Sequence, residues 1–507
     1  MPKNQDTAFF GHPAGLSTLF FTEMWERFSF YGLRAILVLF MTASVASGGL
    51  GFDVERTGAI YGTYAASVYL MCLPGGWVAD KVLGLRRSVF WGGVLIMLGQ
   101  ISLAMPNSET FLYPGLILIS LGTGMLKPNI SAMVGTLYKP DDVRRDAGFS
   151  IYYMGINIGA FVSPLICGWL AQGEGFQRIL TSVGINPALS WHFGFGFGAL
   201  GMGFGLLQYV LTGHRLGDAG IAVYGSPTPE ALSAAKRKLF IGLGVILAAI
   251  GVIVALAASG TIAITATGIG RATDYILIAV VVGFFSWLFM AGDWTANERK
   301  RLVVITVLFL GATVFWAAFE QAASTLNLFA QRQTENTIFG ISYPASWLQA
   351  VNAGLIILMA PLAGWVWVKL GPRDPSSPAK FSLGLFFLGA GFAVMILAAT
   401  AASSGQKVSP LWLLLTYLLH TTGELCLSPV GLSAMTKLAP ARVVGLMMGV
   451  WFLATSIGNK IAGSVAGLYE SFSLTSLFGA VTATALFFAV VMALLIRPIK
   501  NMLARPD

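Results

Sequence analysis

The sequence predicts an all-α polytopic membrane protein, built as two six-helix bundles with two extra transmembrane helices between them, 14 spans in all. Three observations predict it. Hydrophobic residues make up 56% of the 507 residues and charged residues only 10%, whereas a soluble domain carries about a quarter charged residues. Fourteen apolar segments reach the roughly 20 residues that a spanning helix needs. The loops between them alternate between rich and poor in Lys and Arg, the asymmetry of the positive-inside rule.

The first bundle, residues 1–213, takes spans near 16–44, 55–79, 86–105, 110–137, 146–172 and 190–213. A polar linker containing Gly225-Ser226-Pro227-Thr228-Pro229 follows. Spans 237–258 and 272–292 complete the middle region, 214–300; they are rich in Ala, Val, Ile and Gly, and nothing in them reads as chemistry. The second bundle, 301–507, takes spans 302–330, 343–369, 380–402, 410–437, 442–468 and 474–496. A 6 + 6 plan places a site between two bundles.

With the N-terminus in the cytoplasm, the cytoplasmic loops hold Arg86, Arg87, Arg144, Arg145, Lys236, Arg237, Lys238, Arg299, Lys300, Arg301, Lys369, Arg373, Lys437 and Arg442. The external loops hold only Arg56, Arg178, Arg271, Arg332 and Lys407. The even span count returns the C-terminus to the cytoplasm. This asymmetry accounts for the net charge of +9 without a nucleic-acid partner. The stretch Met1–Pro13 is polar and reads as no cleaved signal peptide. Cys72, Cys167 and Cys426 sit in apolar segments, with neither disulfide nor metal-site spacing.

Ionisable side chains within spans are costly and mark function by default. Here they are Glu23, Glu26, Arg27, Arg34, Lys127, Glu320, Glu424 and Lys460. At 100° per residue, Glu23, Glu26, Arg27, Tyr31 and Arg34 share an arc of roughly 140° on the first span. Such a face lines a cavity or another polar helix. Lys127, in Gly124-Met125-Leu126-Lys127-Pro128-Asn129, needs an anion, with Glu23, Glu26 or a substrate carboxylate available. The first half thus holds three of the four buried cations, and the second adds two acids and Lys460, a polarity suited to a zwitterion. Glu23, Glu26 and Glu320 are candidate proton-coupling carboxylates, since neighbouring cations and burial act on them in opposite senses.

Asp80, Arg86 and Arg87 flank the loop Gly75-Gly76-Trp77-Val78-Ala79-Asp80-Lys81-Val82-Leu83-Gly84-Leu85-Arg86-Arg87, where they cap helix ends or latch a gate. The glycines of Phe193-Gly194-Phe195-Gly196-Phe197-Gly198 and of Gly201-Met202-Gly203 read as packing faces. His192 and His420 read as structural. Tyr31, Tyr69, Trp316 and Trp451 are pocket candidates, and for each taken alone lipid contact or packing is the safer reading.

Glu23-Met24-Trp25-Glu26-Arg27-Phe28-Ser29-Phe30-Tyr31 resembles the ExxERFxYY motif of the proton-dependent oligopeptide transporters, with Phe30 in place of the first Tyr. Phe149 to Gly159 resembles their FYxxINxG signature, and Gly76 to Arg87 their form of the major facilitator loop. The resemblance runs along the whole chain, including the two extra helices of bacterial members. It implies a major facilitator fold with alternating access. It also implies proton-driven import of di- and tripeptides across the bacterial inner membrane, with no cofactor beyond the proton gradient and a monomer as the working form. By motif position, Arg34 and Lys127 hold the peptide carboxylate, Glu424 the ammonium, and Asn157 and Asn352 the backbone. Glu23, Glu26, Arg27 and Lys127 form the proton network. Arg34 and Glu320 pair as an external gate, and Tyr31, Tyr69, Trp316, Trp451 and Ser428 shape the side-chain pocket.

The rival readings are another cargo on the same fold, a membrane-embedded enzyme, and a non-transporting peptide sensor. Glu424 favours an amine-bearing cargo over nitrate. The enzyme reading lacks a paired-His metal motif or a nucleophile motif, and the sensor reading would tolerate loss of the proton carboxylates, which are present.

Overall fold

The computed structural model describes residues 7–106, 108–139, 141–223, 225–290, 292–338, 340–440, 443 and 446–504. Arg442 and the start of the polar N-terminal stretch lie outside the described residues. The helices are α1 (Ala14–Thr42), α2 (Val54–Leu70), α3 (Cys72–Val78), α4 (Leu85–Ala104), α5 (Ser108–Thr136), α6 (Arg145–Gln172), α7 (Glu174–Ser182) and α8 (Ser190–Leu211). They continue with α9 (Pro229–Ala258), α10 (Ala266–Met290), α11 (Ala296–Phe319), α12 (Thr325–Gln333) and α13 (Ala350–Leu370). The last four are α14 (Ser377–Ala402), α15 (Leu411–Leu438), α16 (Met447–Gly467) and α17 (Leu474–Ala504).

Among the described residues, 10 helices are long and apolar enough to cross a membrane on those grounds alone. The protein is therefore a multi-pass membrane protein. The other four expected spans carry α1, α2 with α3, α15 and α16. Of these, α1 bears four charged residues, and α2 stops after 17 residues. Length and apolarity thus support ten spans directly, and fourteen remains the expectation from loop charge.

Local sequence explains the helix ends. Thr295 and Glu298 form a reciprocal capping box that opens α11, with Thr295 Oγ1 accepting from Glu298 N at 3.2 Å and Glu298 Oε2 from Thr295 N at 2.9 Å. Thr228 caps α9 and Pro229 follows at the first turn. The expected span 302–330 is broken. It ends as α11 at Phe319, passes through a 3-10 turn at Glu320–Ala323, and resumes as α12. The break falls where polar side chains crowd the chain: Glu320, Gln321, Ser324, Thr325 and Asn327 are all buried. The short α7 and a two-stranded hairpin, β1 (Thr337–Ile338) with β2 (Ile341–Ser342), lie in loops.

The chain forms two compact units. Unit 1 takes the chain up to Phe30, Ser67–Gly159 and Phe195–Arg271. Its core gathers Leu19, Val89, Ile96, Leu126, Ile130, Met133, Tyr152, Met202 and Leu206. Within it α4 and α5 meet through glycines: a Cβ on Gly92 would stand 2.7 Å from Gly122 O, and one on Gly99 2.7 Å from Gly115 O. Lipid supplies no hydrophobic drive between helices, so such close backbone packing carries the association. The glycines of α8 pack as expected, Gly201 against Phe28 and Gly198 against Gln100.

Unit 2 takes Tyr31–Ala66, Ala160–Gly194 and the chain from Ala272 on. It includes the second parts of α1 and α6 and the first part of α2. Gly58 and Gly62 of α2 meet Gly463 of α16, where an added Cβ would stand 2.3 Å from Gly62 Cα. Ser456 Oγ donates to Ala66 O at 2.7 Å, Asn327 Nδ2 to Ala35 O at 2.9 Å, and Trp347 Nε1 to Leu165 O at 2.9 Å. Phe285 of α10 packs on Phe309 of α11 with ring centres 4.9 Å apart.

Candidate functional site

In unit 1, α1 presents its charges as a chain. Arg27 Nε lies 3.1 Å from Glu23 Oε1, one helical turn earlier, and also pairs with Glu26 Oε2. All three side chains are buried, Glu26 completely. A single guanidinium therefore bridges two carboxylates. Glu23 Oε2 and Glu26 Oε1 are buried with no hydrogen-bond partner among the described residues, so each acid keeps one oxygen outside the ion pairing. The arc expected on α1 is formed, and it contains two separate ionic groups, of which this is the first.

Lys127 sits on α5 just before Pro128, whose missing N–H loosens the local helix ladder. Its ammonium stands 4.1 Å from the centre of the Tyr69 ring, a cation–π geometry. Asn157 is buried on α6 and donates to Tyr153 O at 3.0 Å. Tyr152 lies within 3.3 Å of Ser131 across α5 and α6.

The loop after α3 is tied down through backbone carbonyls. Arg86 donates to Gly217 O at 3.0 Å and to Gly213 O, and Lys81 Nζ donates to Gly225 O at 2.9 Å. Burial pushes the Asp80 carboxyl above its usual range, against the opposing pull of Lys81. Arg87 opens α4 beside Arg86.

Unit 2 holds the second ionic group. Arg34 Nη2 lies 2.9 Å from Glu320 Oε2, both side chains largely buried. The Arg34 guanidinium also stands over the Tyr31 ring, 5.6 Å from its centre. Glu320 is positioned by the helix break at the end of α11. Glu424 on α15 accepts from Asn352 Nδ2 of α13 at 3.0 Å, and Asn352 also reaches Thr421 Oγ1 at 2.9 Å. Asn352 thus spans one turn of α15. Ser428 is half-buried on α15, one turn beyond Glu424. Trp316 of α11 and Trp451 of α16 meet edge to face, 6.2 Å apart at 85°. The indole N–H of Trp316 is buried without a partner among the described residues.

Of the expected site residues, Glu23, Glu26 and Arg27 are thus brought together in unit 1, as are Lys127 and Tyr69. Unit 2 brings together Tyr31, Arg34 and Glu320, then Asn352 and Glu424, then Trp316 and Trp451. One residue was missed. Lys460 of α16 pairs with Asp274 of α10 at 3.0 Å. The reading of span 272–292 as empty of chemistry is corrected here: Asp274 stands within it, masked by the surrounding Ala, Val and Ile. Among the described residues, no group of three or more His, Cys, Asp or Glu side chains is placed to hold a metal.

A family model described as the POT family matches residues 86–484. The chain belongs to the POT family. Two curated relatives of this POT-family chain match it nearly end to end. The peptide transporter YePEPT of Yersinia enterocolitica is 42% identical, covering 98% of this chain and 96% of the relative. A di-/tripeptide transporter of Lactococcus lactis subsp. cremoris is 37% identical, covering 98% of both. Among solved structures, a mutant peptide transporter POT in complex with alafosfalin superposes with a TM-score of 0.88 at 40% identity, covering 100% of both chains.

Proposed function

We propose that this POT-family protein is a proton-coupled symporter that imports di- and tripeptides by alternating access. It is a carrier and not an enzyme, and it uses the proton gradient with no cofactor. We place it in the bacterial inner membrane with 14 spans, both termini cytoplasmic, the monomer as working unit, and bundles at 1–213 and 301–507 around the middle region 214–300. The relatives' names, peptide transporter and di-/tripeptide transporter, support the cargo.

The observation that carries the reading is the shared guanidinium of unit 1. Arg27 bridges Glu23 and Glu26 and leaves a buried oxygen on each. A proton arriving on one acid changes which carboxylate the guanidinium prefers, so the pair switches without moving the backbone. Nothing in a purely structural salt bridge requires two acids to one base.

Unit 2 supports peptide recognition. Arg34 suits the peptide carboxylate, because a guanidinium binds a carboxylate through two parallel hydrogen bonds. In the closed pair Glu320 occupies that place. A peptide carboxylate competes with Glu320 for Arg34, and the displaced Glu320 becomes free to take a proton, which links cargo to coupling. Glu424, oriented by Asn352, suits the peptide ammonium. Trp316, Trp451, Tyr31 and Ser428 would bound the side chains. In unit 1, Lys127 with Tyr69 would serve the carboxylate and the proton network, and Asn157 the peptide backbone. Asp80, Arg86 and Arg87 would stiffen the cytoplasmic loop during gating.

The test is uptake of labelled dialanine into liposomes holding the purified protein, with and without an inward proton gradient. Gradient-dependent uptake that disappears in Glu26→Gln is expected. Absence of uptake by folded, correctly oriented protein would remove dialanine as cargo and return the sensor reading.

A further inference from the structure

The inserted helices α9 and α10 take no part in the reading above, and most of α9 is bare: its most apolar 18-residue stretch is 0% buried. On α10 one polar contact breaks this pattern. Asp274 Oδ1 lies 3.0 Å from Lys460 Nζ, and the two side chains are 44% and 5% exposed. The Lys460 side chain is the buried one, and a buried ammonium left unpaired is expensive.

The location of Lys460 gives the pair its meaning. On α16, Ser456, Lys460, Gly463 and Gly467 recur at helical spacing along one stripe. That stripe is where α2 closes on α16. Ser456 Oγ donates to Ala66 O, the Lys460 carbonyl would stand 3.1 Å from a Cβ on Gly62, and a Cβ on Gly58 would stand 2.5 Å from Gly463 O. The backbone of Lys460 therefore belongs to the α2 contact while its side chain reaches α10. The same helix carries Thr455 and Trp451, about one and a half and two and a half turns before Lys460. A rotation or slide of α16 against α2 must carry Asp274 with it or strand the ammonium.

We infer that Asp274 is a positioning residue for transport: it anchors Lys460, and through it sets the rotational position of α16 at its glycine contact with α2. The inserted helix thereby acts on the closing step. Asp274 pairs with Lys460 and is not among the residues assigned above to the peptide or to the proton network, so its effect falls on the rate of closure and not on peptide affinity. This inference rests on the transport reading.

The experiment uses Asp274→Asn, Lys460→Met and the exchanged pair Asp274→Lys with Lys460→Asp in the full-length protein. In liposomes, each single variant is expected to lower the maximal rate of gradient-driven dialanine uptake about tenfold with KM unchanged, and the exchanged pair to recover most of the rate. A second readout needs no peptide. Nitroxides at Val45 and Phe472, both exposed in unit 2, report the spacing between the loops that follow α1 and α16. The native cysteines Cys72, Cys167 and Cys426 are buried. Each single variant is expected to broaden that distance distribution, and the exchanged pair to narrow it again. Wild-type rates together with wild-type distances in both single variants would overturn the inference. So would a rate loss carried entirely by KM, or single variants altered in either readout that the exchanged pair does not recover. If the wild type itself takes up no peptide, the cargo reading fails, and the distance measurement still decides the role of Asp274.

Discussion

Arg34 Nη2 and Glu320 Oε2 lie 2.9 Å apart, joining the second part of α1 to the break that ends α11. The pair is largely buried, so loss of one partner leaves the other in a poorly solvated place at a cost of about 3–5 kcal/mol. Glu320→Gln keeps a hydrogen-bonding oxygen and removes the charge. Its gradient-driven uptake is expected to fall at least about tenfold while exchange of labelled for unlabelled peptide persists. Equal loss of exchange would place Glu320 in binding and not in coupling.

Glu26 shares Arg27 with Glu23 and keeps one oxygen free. Glu26→Gln is expected to abolish concentrative uptake, with peptide-induced thermal stabilisation retained. A variant that still accumulates peptide against its gradient would move coupling elsewhere.

Glu424 is held by Asn352 at 3.0 Å. A charge-assisted hydrogen bond contributes about 1.5–3 kcal/mol, so Glu424→Gln should weaken dialanine binding about 10- to 100-fold. N-acetyl-dialanine lacks the ammonium and should bind wild type and variant alike. Competition assays with the two ligands decide it.

Gly463 has no room for a side chain, its Cβ position being 2.3 Å from Gly62 Cα. Gly463→Ala forces α2 and α16 apart, at about 1–3 kcal/mol for an overpacked contact. Thermal unfolding in detergent should show that loss, whereas Gly479→Ala, at an open position, should not.

Asp142 and Arg144 form a pair in the loop between α5 and α6, 2.8 Å apart. Hydrogen bonds from Arg144 hold the Asp142 carboxyl down to about 2. A folded value below the unfolded one means that its contribution is present above the unfolded pKa and lost only as pH falls through about 2. Asp142→Asn should therefore leave the shape of the uptake-versus-pH curve unchanged between about pH 5 and pH 8. A displaced curve would show that this loop takes part in proton movement.

Much of the fold is legible in the sequence because the bilayer enforces it. A helix must hide its backbone for some 20 residues, and loop cations record the side on which each helix ends. The α1 charges are legible for the same reason: in lipid they cannot be incidental. What escaped is cooperative. The break at Glu320–Ala323 depends on buried polar neighbours, among them Asn327 with its bond to Ala35 O, and periodicity alone continues the helix through it. Asp274 escaped because its meaning lies in a partner 186 positions away, Lys460, and a lone acid in a mostly apolar segment forms no local pattern. The partner of Arg34 is legible only through family likeness, because residues 34 and 320 share no local pattern.

α1 runs unbroken from Ala14 to Thr42, yet its residues up to Phe30 belong to one unit and those from Tyr31 on to the other. Arg27 and Arg34 stand on opposite sides of that seam, seven positions apart in one rod. Seven residues make about two turns, a rise of about 10 Å that returns to nearly the same heading. The interval itself is thus under constraint, independent of which amino acids fill it. Inserting or deleting a single residue between them would swing Arg34 by about 100° and unseat it from Glu320 with every side chain of both groups intact. Homologous chains should therefore keep the length of this stretch.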